Sequence, residues 1–221
     1  MRLSELKVPA LVIETLTHAG METLRPAQEK AVAAGLLEGK NLLVCTPTAS
    51  GKTLIAELAA LRTVLERKGK ALYIVPMKAL ATEKHREFTV RWGRMAKVAL
   101  SIGDPDAEED YLSQYDIIVA TSEKVDSLLR HGAPWVSKVK LLVVDEVHLL
   151  DDPSRGPTLE ILITLLRLRI PELQVLALSA TIGNPEELAA WLDAALVQDD
   201  WRPVQLLKGI YRSGTIKFDA P

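Results

Sequence analysis

Short apolar runs alternate with longer amphipathic segments along this chain of 221 residues. The runs consist mainly of Val, Leu, Ile and Ala, which is typical of strands buried on both faces of a sheet. They lie at residues 41–45, 71–75, 97–102, 116–120, 141–145, 174–179 and 203–207. The pattern therefore predicts a series of short strands with longer connecting segments between them.

The connecting segments carry a helical periodicity. Residues 54–67 place their leucines on one stripe, and another helical pattern begins after Pro185. The alternation of strands and helices predicts an α/β fold, a doubly wound and mostly parallel sheet with helices on both faces. Residues 101–110 are instead rich in acidic side chains and predict a surface loop.

The composition fits one large globular domain with its own core, because 48% of the residues are hydrophobic and 25% are charged. We expect residues 1–208 to form this domain and residues 209–221 to be a tail or the start of a linker. The net charge of −2 creates no strong field over the whole surface, so any nucleic-acid contact would be a local patch.

The cysteine content and the apolar segments constrain the cellular location. The single cysteine, Cys45, excludes an internal disulfide and indicates a reducing compartment. Its apolar neighbours favour a buried strand position over a catalytic thiol. The first apolar run, residues 10–13, is too short for a signal peptide, and no run approaches the roughly 18 to 20 residues of a membrane span. We expect a cytoplasmic protein with no membrane partner.

The segment TPTASGKT follows the first predicted strand directly and precedes a predicted helix. Backbone N–H groups at a helix N-terminus bind phosphate, Lys52 would reach the β- and γ-phosphates, and the Thr53 hydroxyl would ligate Mg²⁺. The alternative is an ordinary glycine turn, which the strand–loop–helix context disfavours. The sequence thus predicts an ATP and Mg²⁺ site at Thr46, Pro47, Thr48, Ala49, Ser50, Gly51, Lys52 and Thr53.

Thr46 departs from the phosphate-loop pattern G-x-x-x-x-G-K-[ST], which has glycine at this position. Glycine is required only where the backbone needs a positive φ or a close approach, so threonine predicts an ordinary φ at the strand exit. The departure weakens a GTPase or small-kinase interpretation more than an ATPase one.

A second motif, VVDEVH at residues 143–148, ends an apolar strand in two carboxylates. Asp145 would hold Mg²⁺, through water, and Glu146 would orient or activate the attacking water. We expect this strand to be a parallel neighbour of the first strand. An acidic pair at a strand end is common by itself, but its position downstream of a phosphate loop favours the functional interpretation.

The third motif, LSATIGNPEEL at residues 178–188, places Ser179 and Thr181 at the end of another strand. Hydroxyl groups there would lie beside the γ-phosphate and could hydrogen-bond the acidic pair and His148. Taken alone, this segment is a turn of small residues.

At this point the residues resemble a known family. The segments LRPAQ, TPTASGKT, VPMKALATEK, ATSEKVDSLLRHG, DEVH, RGPTLE and LSATIGNPEELAAWL are similar to the Q-motif, motifs I, Ia, Ib and II, a post-II element and motif III of superfamily 2 helicases. They occur in the same order, from Leu24 to residues 199–204. The sequences of the last several segments are most similar to those of archaeal Hjm-type DNA helicases, which are relatives of the helicase domain of DNA polymerase theta.

The resemblance implies the first RecA-like domain of a P-loop NTPase, an ATP-dependent 3′ to 5′ DNA helicase acting at stalled forks and repair intermediates. It implies that Gln28 reads adenine, a residue otherwise expected to be an exposed helix glutamine. It assigns catalysis to Lys52, Asp145, Glu146 and His148, and the coupling of hydrolysis to motion to His148, Ser179 and Thr181.

The resemblance also implies partners. Single-stranded or forked DNA would contact Lys78, Thr121, Ser122, Lys124 and Arg155, although solvated surface residues are the alternative. We expect Lys84, His85 and Arg86 to form a solvated face. A second RecA-like domain would supply an arginine finger, so we expect this chain alone to be a monomer that binds nucleotide weakly and turns over little.

Three alternatives stay open at this stage. An RNA helicase of the same superfamily would share every motif, because DNA is implied only by the resemblance. A nucleotide- or nucleic-acid-binding module without turnover is disfavoured by the intact Lys52, Asp145 and Glu146. A P-loop kinase would need an acceptor-binding lid, which is not evident between the motifs.

Overall fold

The computed structural model describes residues 1–103, 110–204, 207 and 209–218. The strands are β1 (Leu42–Cys45), β2 (Lys70–Val75), β3 (Val98–Ser101), β4 (Ile117–Thr121), β5 (Val139–Val144), β6 (Gln174–Ser179), β7 (Ala195–Gln198), β8 (Gly209–Arg212) and β9 (Thr215–Phe218). The helices are α1 (Ala10–His18), α2 (Pro26–Ala33), α3 (Lys52–Leu65), α4 (Lys78–Trp92), α5 (Ser122–Arg130), α6 (Gly156–Arg169) and α7 (Pro185–Leu192). Most of the predicted acidic loop, residues 104–109, lies outside the described residues.

The first seven strands form one sheet in the order β3-β4-β2-β5-β6-β1-β7, and all neighbouring strands are parallel. The predicted fold class is confirmed. The expectation that the strand of the acidic pair neighbours the first strand is wrong, because β6 lies between β5 and β1. Along the chain β2 follows β1, but the two strands are not neighbours in the sheet. The later strands β5 and β6 occupy the two positions between them.

The strand next to β1 on the other side was not predicted. β7 pairs with β1 at the edge of the sheet, and Val197 is its one buried residue. An edge strand of this kind lacks the continuous apolar run on which the prediction depended. The run predicted at 203–207 is not a strand in its described part, since Pro203 and Val204 lie in a bend.

Alternate residues of each central strand face two apolar clusters. On β2, Tyr73 and Val75 face the cluster covered by α1 to α4, whereas Leu72 and Ile74 face the cluster covered by α5 to α7. Burial on both faces explains why these strands are continuously apolar, and it is what a doubly wound sheet requires. In the described ranges, no helix has the length and apolar content to cross a membrane.

The strands β8 and β9 form a separate antiparallel hairpin, and its side chains are exposed. The parallel sheet has a carboxyl edge, at which several of the connecting segments begin. Because all its strands run in the same direction, the segments that follow β1, β2, β4, β5 and β6 emerge at this edge.

Candidate nucleotide-binding site

The loop at residues 46–53 joins β1 to α3 at the carboxyl edge. Its backbone is left-handed at Ala49, with φ of 65°, and at Gly51, with φ of 96°. Thr46 is not among the positive-φ residues, so the expected ordinary backbone at the strand exit is confirmed. Positions 49 and 51 therefore form the turn, and threonine at position 46 carries no steric cost.

Lys52 is folded back onto the start of this loop. Its Nζ donates to the carbonyl oxygen of Thr46 at 2.8 Å, and the hydroxyl oxygens of Thr46 and Ser50 lie 2.7 Å apart. Burial lowers the pKa of the Lys52 ammonium, while the Glu146 and Asp145 carboxylates act in the opposite direction. The predicted phosphate lysine therefore lies within electrostatic reach of the predicted acidic pair.

Two side chains from the start of α2 hold the middle of the loop. Arg25 Nη1 donates to the Ala49 carbonyl at 2.9 Å, and Gln28 Nε2 donates to the Gly51 carbonyl at 3.0 Å. Gln28 is only 3% exposed, so the alternative of an exposed helix glutamine is wrong. A Cβ at Gly51 would lie 2.4 Å from Gln28 Nε2. Glycine at position 51 thus satisfies both the backbone and the close approach of Gln28.

The Thr53 hydroxyl has a partner from α4. Lys84 Nζ donates to Thr53 Oγ1 at 3.2 Å and to Glu87 Oε2 at 2.9 Å. The Lys84 side chain is 12% exposed, so the prediction of a solvated face is wrong for this residue. It holds for Arg86, which is exposed, whereas His85 is half-buried. The orientation of α4, which the sequence does not show, turns Lys84 toward the loop.

Asp145 and Glu146 directly follow β5. The Tyr73 hydroxyl, on β2, donates to Asp145 Oδ2 at 2.8 Å, and the Glu146 backbone N–H donates to Asp145 Oδ1 at 3.1 Å. Burial, together with the Asp145 carboxylate, raises the pKa of Tyr73, so its hydroxyl stays protonated. Glu146 has a left-handed backbone with φ of 56°, a strained conformation that often marks functional positions.

The residues predicted to couple hydrolysis to motion lie at different depths. His148 Nδ1 is 3.4 Å from Glu146 Oε2. Ser179 is buried at the end of β6, its carbonyl accepts the Thr46 N–H at 3.2 Å, and its Oγ has no hydrogen-bond partner among the described residues. Thr181 is exposed. The fold therefore brings Ser179 to the phosphate loop and His148 to the acidic pair.

The oxygen atoms that could ligate a metal at this site fit a magnesium ion that binds together with a phosphate. The predicted ligands, Thr53 and Asp145, offer the oxygen atoms that Mg²⁺ prefers, and Mg²⁺ usually completes its shell with substrate phosphates and water. Within the described ranges, no group of three His, Cys, Asp or Glu side chains could hold a metal by itself. In the part of the chain that the structure describes, Ser179 Oγ is a buried polar atom without a hydrogen-bond partner, and Ser179 lies beside the loop.

Cys45 ends β1 immediately before the loop and is buried. Burial raises the pKa of its thiol to about 11, so the thiolate is scarce at neutral pH. The expectation that Cys45 occupies a buried strand position is confirmed.

The predicted nucleic-acid residues differ in accessibility. Lys78, the first residue of α4, is exposed, whereas Thr121 and Ser122 are buried at the start of α5. Lys124 is only 2% exposed, so a phosphate contact by its amine would require the side chain to move. Of these residues, Lys78 alone already presents its side chain to solvent.

Arg155 is half-buried where α6 begins, and its N–H donates to Asp152 Oδ1 at 3.0 Å. It lines a small cavity together with Ser122 and with Asp145 and Glu146. Two of the predicted nucleic-acid residues, Ser122 and Arg155, therefore lie at the same small cavity as the acidic pair.

Three residues of the site were missed by the sequence analysis: Arg25, Tyr73 and Lys84. Tyr73 carried a signal, because a tyrosine in a fully buried strand needs a partner for its hydroxyl. Arg25 stands three residues before Gln28, but no local pattern shows that it reaches Ala49. Lys84 carried no signal, since its contact depends on how α4 packs.

A loop with a left-handed glycine after one parallel strand, and an acidic pair after another strand at the same edge of the sheet, define a RecA-like P-loop domain. A sequence model of the DEAD/DEAH box helicase family matches residues 25–188. The chain belongs to the DEAD/DEAH box helicase family, and the predicted resemblance to superfamily 2 helicases is confirmed.

Known relatives agree with this assignment. The chain is 54% identical over 220 residues to the ATP-dependent DNA helicase Hel308 of Pyrococcus abyssi, across 99% of this chain and 30% of that protein. It is 50% identical over 224 residues to Hel308 of Methanocella arvoryzae, again across 99% of this chain and 30% of the relative. The chain thus spans less than a third of these relatives.

A similar structure is the crystal structure of the DUF1998 helicase MrfA bound to DNA. It matches with a TM-score of 0.73 and 26% sequence identity, across 87% of this chain and 30% of that chain. This similarity to the solved structure of a helicase agrees with the RecA-like fold.

Proposed function

We propose that this chain is the ATP-binding, first RecA-like domain of an ATP-dependent 3′ to 5′ DNA helicase that acts at stalled forks and repair intermediates. The observation that carries the proposal is that the loop at residues 46–53, after β1, and the pair Asp145 and Glu146, after β5, lie at the same carboxyl edge of the parallel sheet. The Hel308 relatives, at 50 and 54% identity, support DNA rather than RNA as the strand.

Binding of ATP begins with a change of partners in the loop. The Lys52 ammonium leaves the Thr46 carbonyl, now 2.8 Å away, and binds the β- and γ-phosphates. Gln28 likewise gives up the Gly51 carbonyl and hydrogen-bonds the adenine edge. Both side chains therefore hold the loop with contacts that the nucleotide would replace.

Thr53 and Asp145 would hold Mg²⁺. The ion would neutralise charge on the β- and γ-phosphates. The Tyr73 hydroxyl fixes Asp145 by donating to Oδ2, which leaves Oδ1 for the Glu146 N–H and for a bound water.

Glu146 orients the attacking water and accepts its proton. The water oxygen bonds to the γ-phosphorus, and the bond to the β–γ bridging oxygen breaks, releasing ADP and phosphate. Hydrolysis would be coupled to motion at the DNA-binding residues by three side chains. These are His148, which lies beside Glu146, and Ser179 and Thr181, at the end of β6.

The strand is expected along Lys78, Thr121, Ser122, Lys124 and Arg155, at the same edge of the sheet. Helix N-termini, hydroxyls and lysines bind phosphates without reading sequence, as a translocating motor requires. The exposed Lys78 supports a contact at α4 most directly.

Residues 1–208 would be the ATP-binding domain, and residues 209–221 would begin the connection to a second RecA-like domain. An arginine finger from such a domain is worth about 10³ to 10⁵ in rate. We therefore expect this chain alone to be a monomer that binds ATP weakly, hydrolyses little and unwinds nothing.

The proposal is tested by Glu146→Gln in the full-length gene product. We expect DNA-stimulated ATP hydrolysis to fall by about 10²-fold or more while fluorescent-ATP binding persists, because a side-chain amide at this position cannot accept the proton. Lys52→Ala should abolish both. The matched control, Glu172→Gln at an exposed position before β6, should keep full activity.

Hydrolysis that is unchanged in Glu146→Gln would contradict the catalytic role of Glu146, and a parent protein that binds ATP without DNA-stimulated hydrolysis would indicate a binding module without turnover. Stimulation by single-stranded RNA that equals or exceeds stimulation by DNA of the same sequence would contradict the assignment of the strand.

A further inference from the structure

Lys84 is a mostly buried cation beside the phosphate loop, and the roles described above do not involve it. It lies in the second turn of α4, with its side chain 12% exposed. Its Nζ is 3.2 Å from Thr53 Oγ1 and 2.9 Å from Glu87 Oε2. A lysine buried to this degree is usually paired, and one of the two partners of Lys84 among the described residues is a neutral hydroxyl.

The contact with Thr53 uses an oxygen lone pair. An ammonium group has only donors, so the hydroxyl must accept. A metal ion ligated by the same oxygen would use its second lone pair and would then lie close enough to the ammonium for the two positive charges to repel each other. The ammonium and a divalent cation are therefore competitors for Thr53.

We propose that Lys84 is a positioning residue that occupies the cation place at Thr53 when nucleotide is absent and yields it to Mg²⁺. This inference rests on the proposed function, which makes Thr53 a magnesium ligand. The Lys84 ammonium keeps the hydroxyl turned toward the site and prevents a bare metal ion from binding without nucleotide.

Glu87 makes the exchange possible. It stands one helical turn after Lys84, and its carboxylate already accepts a hydrogen bond from Nζ. When Lys84 leaves Thr53, this partner keeps the ammonium paired, so displacement does not create an unpaired charge in a mostly buried position. α4 thereby becomes sensitive to the metal, and the same helix begins at the exposed Lys78.

The experiment measures binding of a fluorescent ATP analogue to the chain as a function of Mg²⁺ concentration. For Lys84→Met, we expect half-maximal binding at about three- to tenfold less Mg²⁺ than in the parent, since a competing charge is removed. Lys84→Gln, which keeps a polar side chain, should shift in the same direction. The matched control Arg86→Met, an exposed cation on the same helix, should leave the Mg²⁺ requirement unchanged.

Glu87→Gln should shift the requirement in the opposite direction, by about two- to fivefold, because the displaced ammonium loses its alternative partner. In the Lys84→Met, Glu87→Gln double variant, this increase should disappear. An increase that persists in the double variant would show that Glu87 acts directly on the metal and would overturn its role here.

Circular dichroism verifies that each variant is folded. Magnesium-dependent binding in the parent with an unchanged requirement in both Lys84 variants would overturn this inference alone. Binding in the parent that does not depend on Mg²⁺ would instead contradict the metal site of the proposed function, and the role of Lys84 with it.

Discussion

Ala49 has the backbone conformation of a glycine. Its φ of 65° brings Cβ close to the following carbonyl, at a cost of about 1 to 2 kcal/mol for a residue other than glycine. The Arg25 guanidinium donates to the Ala49 carbonyl, and its Cζ lies over the Trp201 ring, 5.4 Å from the ring centre. The loop thus carries strain that contacts from α2 and from the segment after β7 help to maintain.

Ala49→Gly should stabilise the nucleotide-free chain by about 0.5 to 1 kcal/mol, because relief of the left-handed strain exceeds the added entropy of the unfolded chain. Urea denaturation provides the measurement. The control variant Ala190→Gly lies at an exposed right-handed position in α7. It should lower the free energy of unfolding by up to about 1 kcal/mol. A loss of stability in both variants would show that Ala49 is unstrained in solution.

The helices α3 and α4 are connected by an ion pair at the edge of the site. Arg91 Nη1 lies 2.6 Å from Glu57 Oε2, and the Glu57 side chain is fully buried. Burial raises the pKa of Glu57, and the Arg91 charge opposes this increase. The pair therefore holds in place two helices that carry Thr53 and Lys84.

Arg91→Met should destabilise the chain by about 2 to 4 kcal/mol at pH 7, because it leaves the buried carboxylate unpaired. The pKa of Glu57, already raised in the folded state, should rise further in this variant. The folded protein then binds a proton that the unfolded chain does not, so the deficit should shrink as pH falls from 7 to 5.

Chemical denaturation of the parent and the variant at several pH values checks this expectation. Arg86→Met, on the exposed side of α4, serves as the control and should change stability by less than about 0.5 kcal/mol. A deficit for Arg91→Met that does not vary with pH would mean that Glu57 is not the group responsible.

At the scale of the whole molecule, chemistry is concentrated at one edge of the sheet. The phosphate loop, the acidic pair and Lys78 all follow carboxyl ends of parallel strands, whereas Lys97 precedes β3 at the opposite edge. With a net charge of −2, the molecule has no general attraction for a polyanion. The position of a lysine should therefore decide its effect on strand binding.

Lys78→Ala should weaken binding of single-stranded DNA several-fold and reduce the salt dependence of log K by about 0.7, the contribution of one phosphate contact. Fluorescence anisotropy over a range of salt concentrations gives both quantities. Lys97→Ala, with the same loss of charge at an exposed position, should change neither. Equal effects of the two substitutions would indicate non-specific attraction rather than a defined strand path.

Local sequence patterns were sufficient where a feature depends on neighbouring residues. The run at 71–75 is apolar because β2 is buried on both faces, and Thr46 tolerates its position because the backbone there is ordinary. The edge strand β7 was not predicted, because Val197 is its one buried residue and the strand therefore lacks a continuous apolar run. Gln28 was recognised through a motif, but its burial depends on the packing of α2 against the loop.

The chain's own sequence predicted the α/β class, the phosphate loop and the acidic pair, because each apolar run, helical stripe and motif depends on residues that are close together in the sequence. Tertiary structure alone decided that β6 separates β5 from β1, that Tyr73 holds Asp145 and that Lys84 holds Thr53. These contacts join residues 72 and 31 positions apart. Strand order and helix orientation set such distances, and both result from packing of the whole core rather than from any short segment.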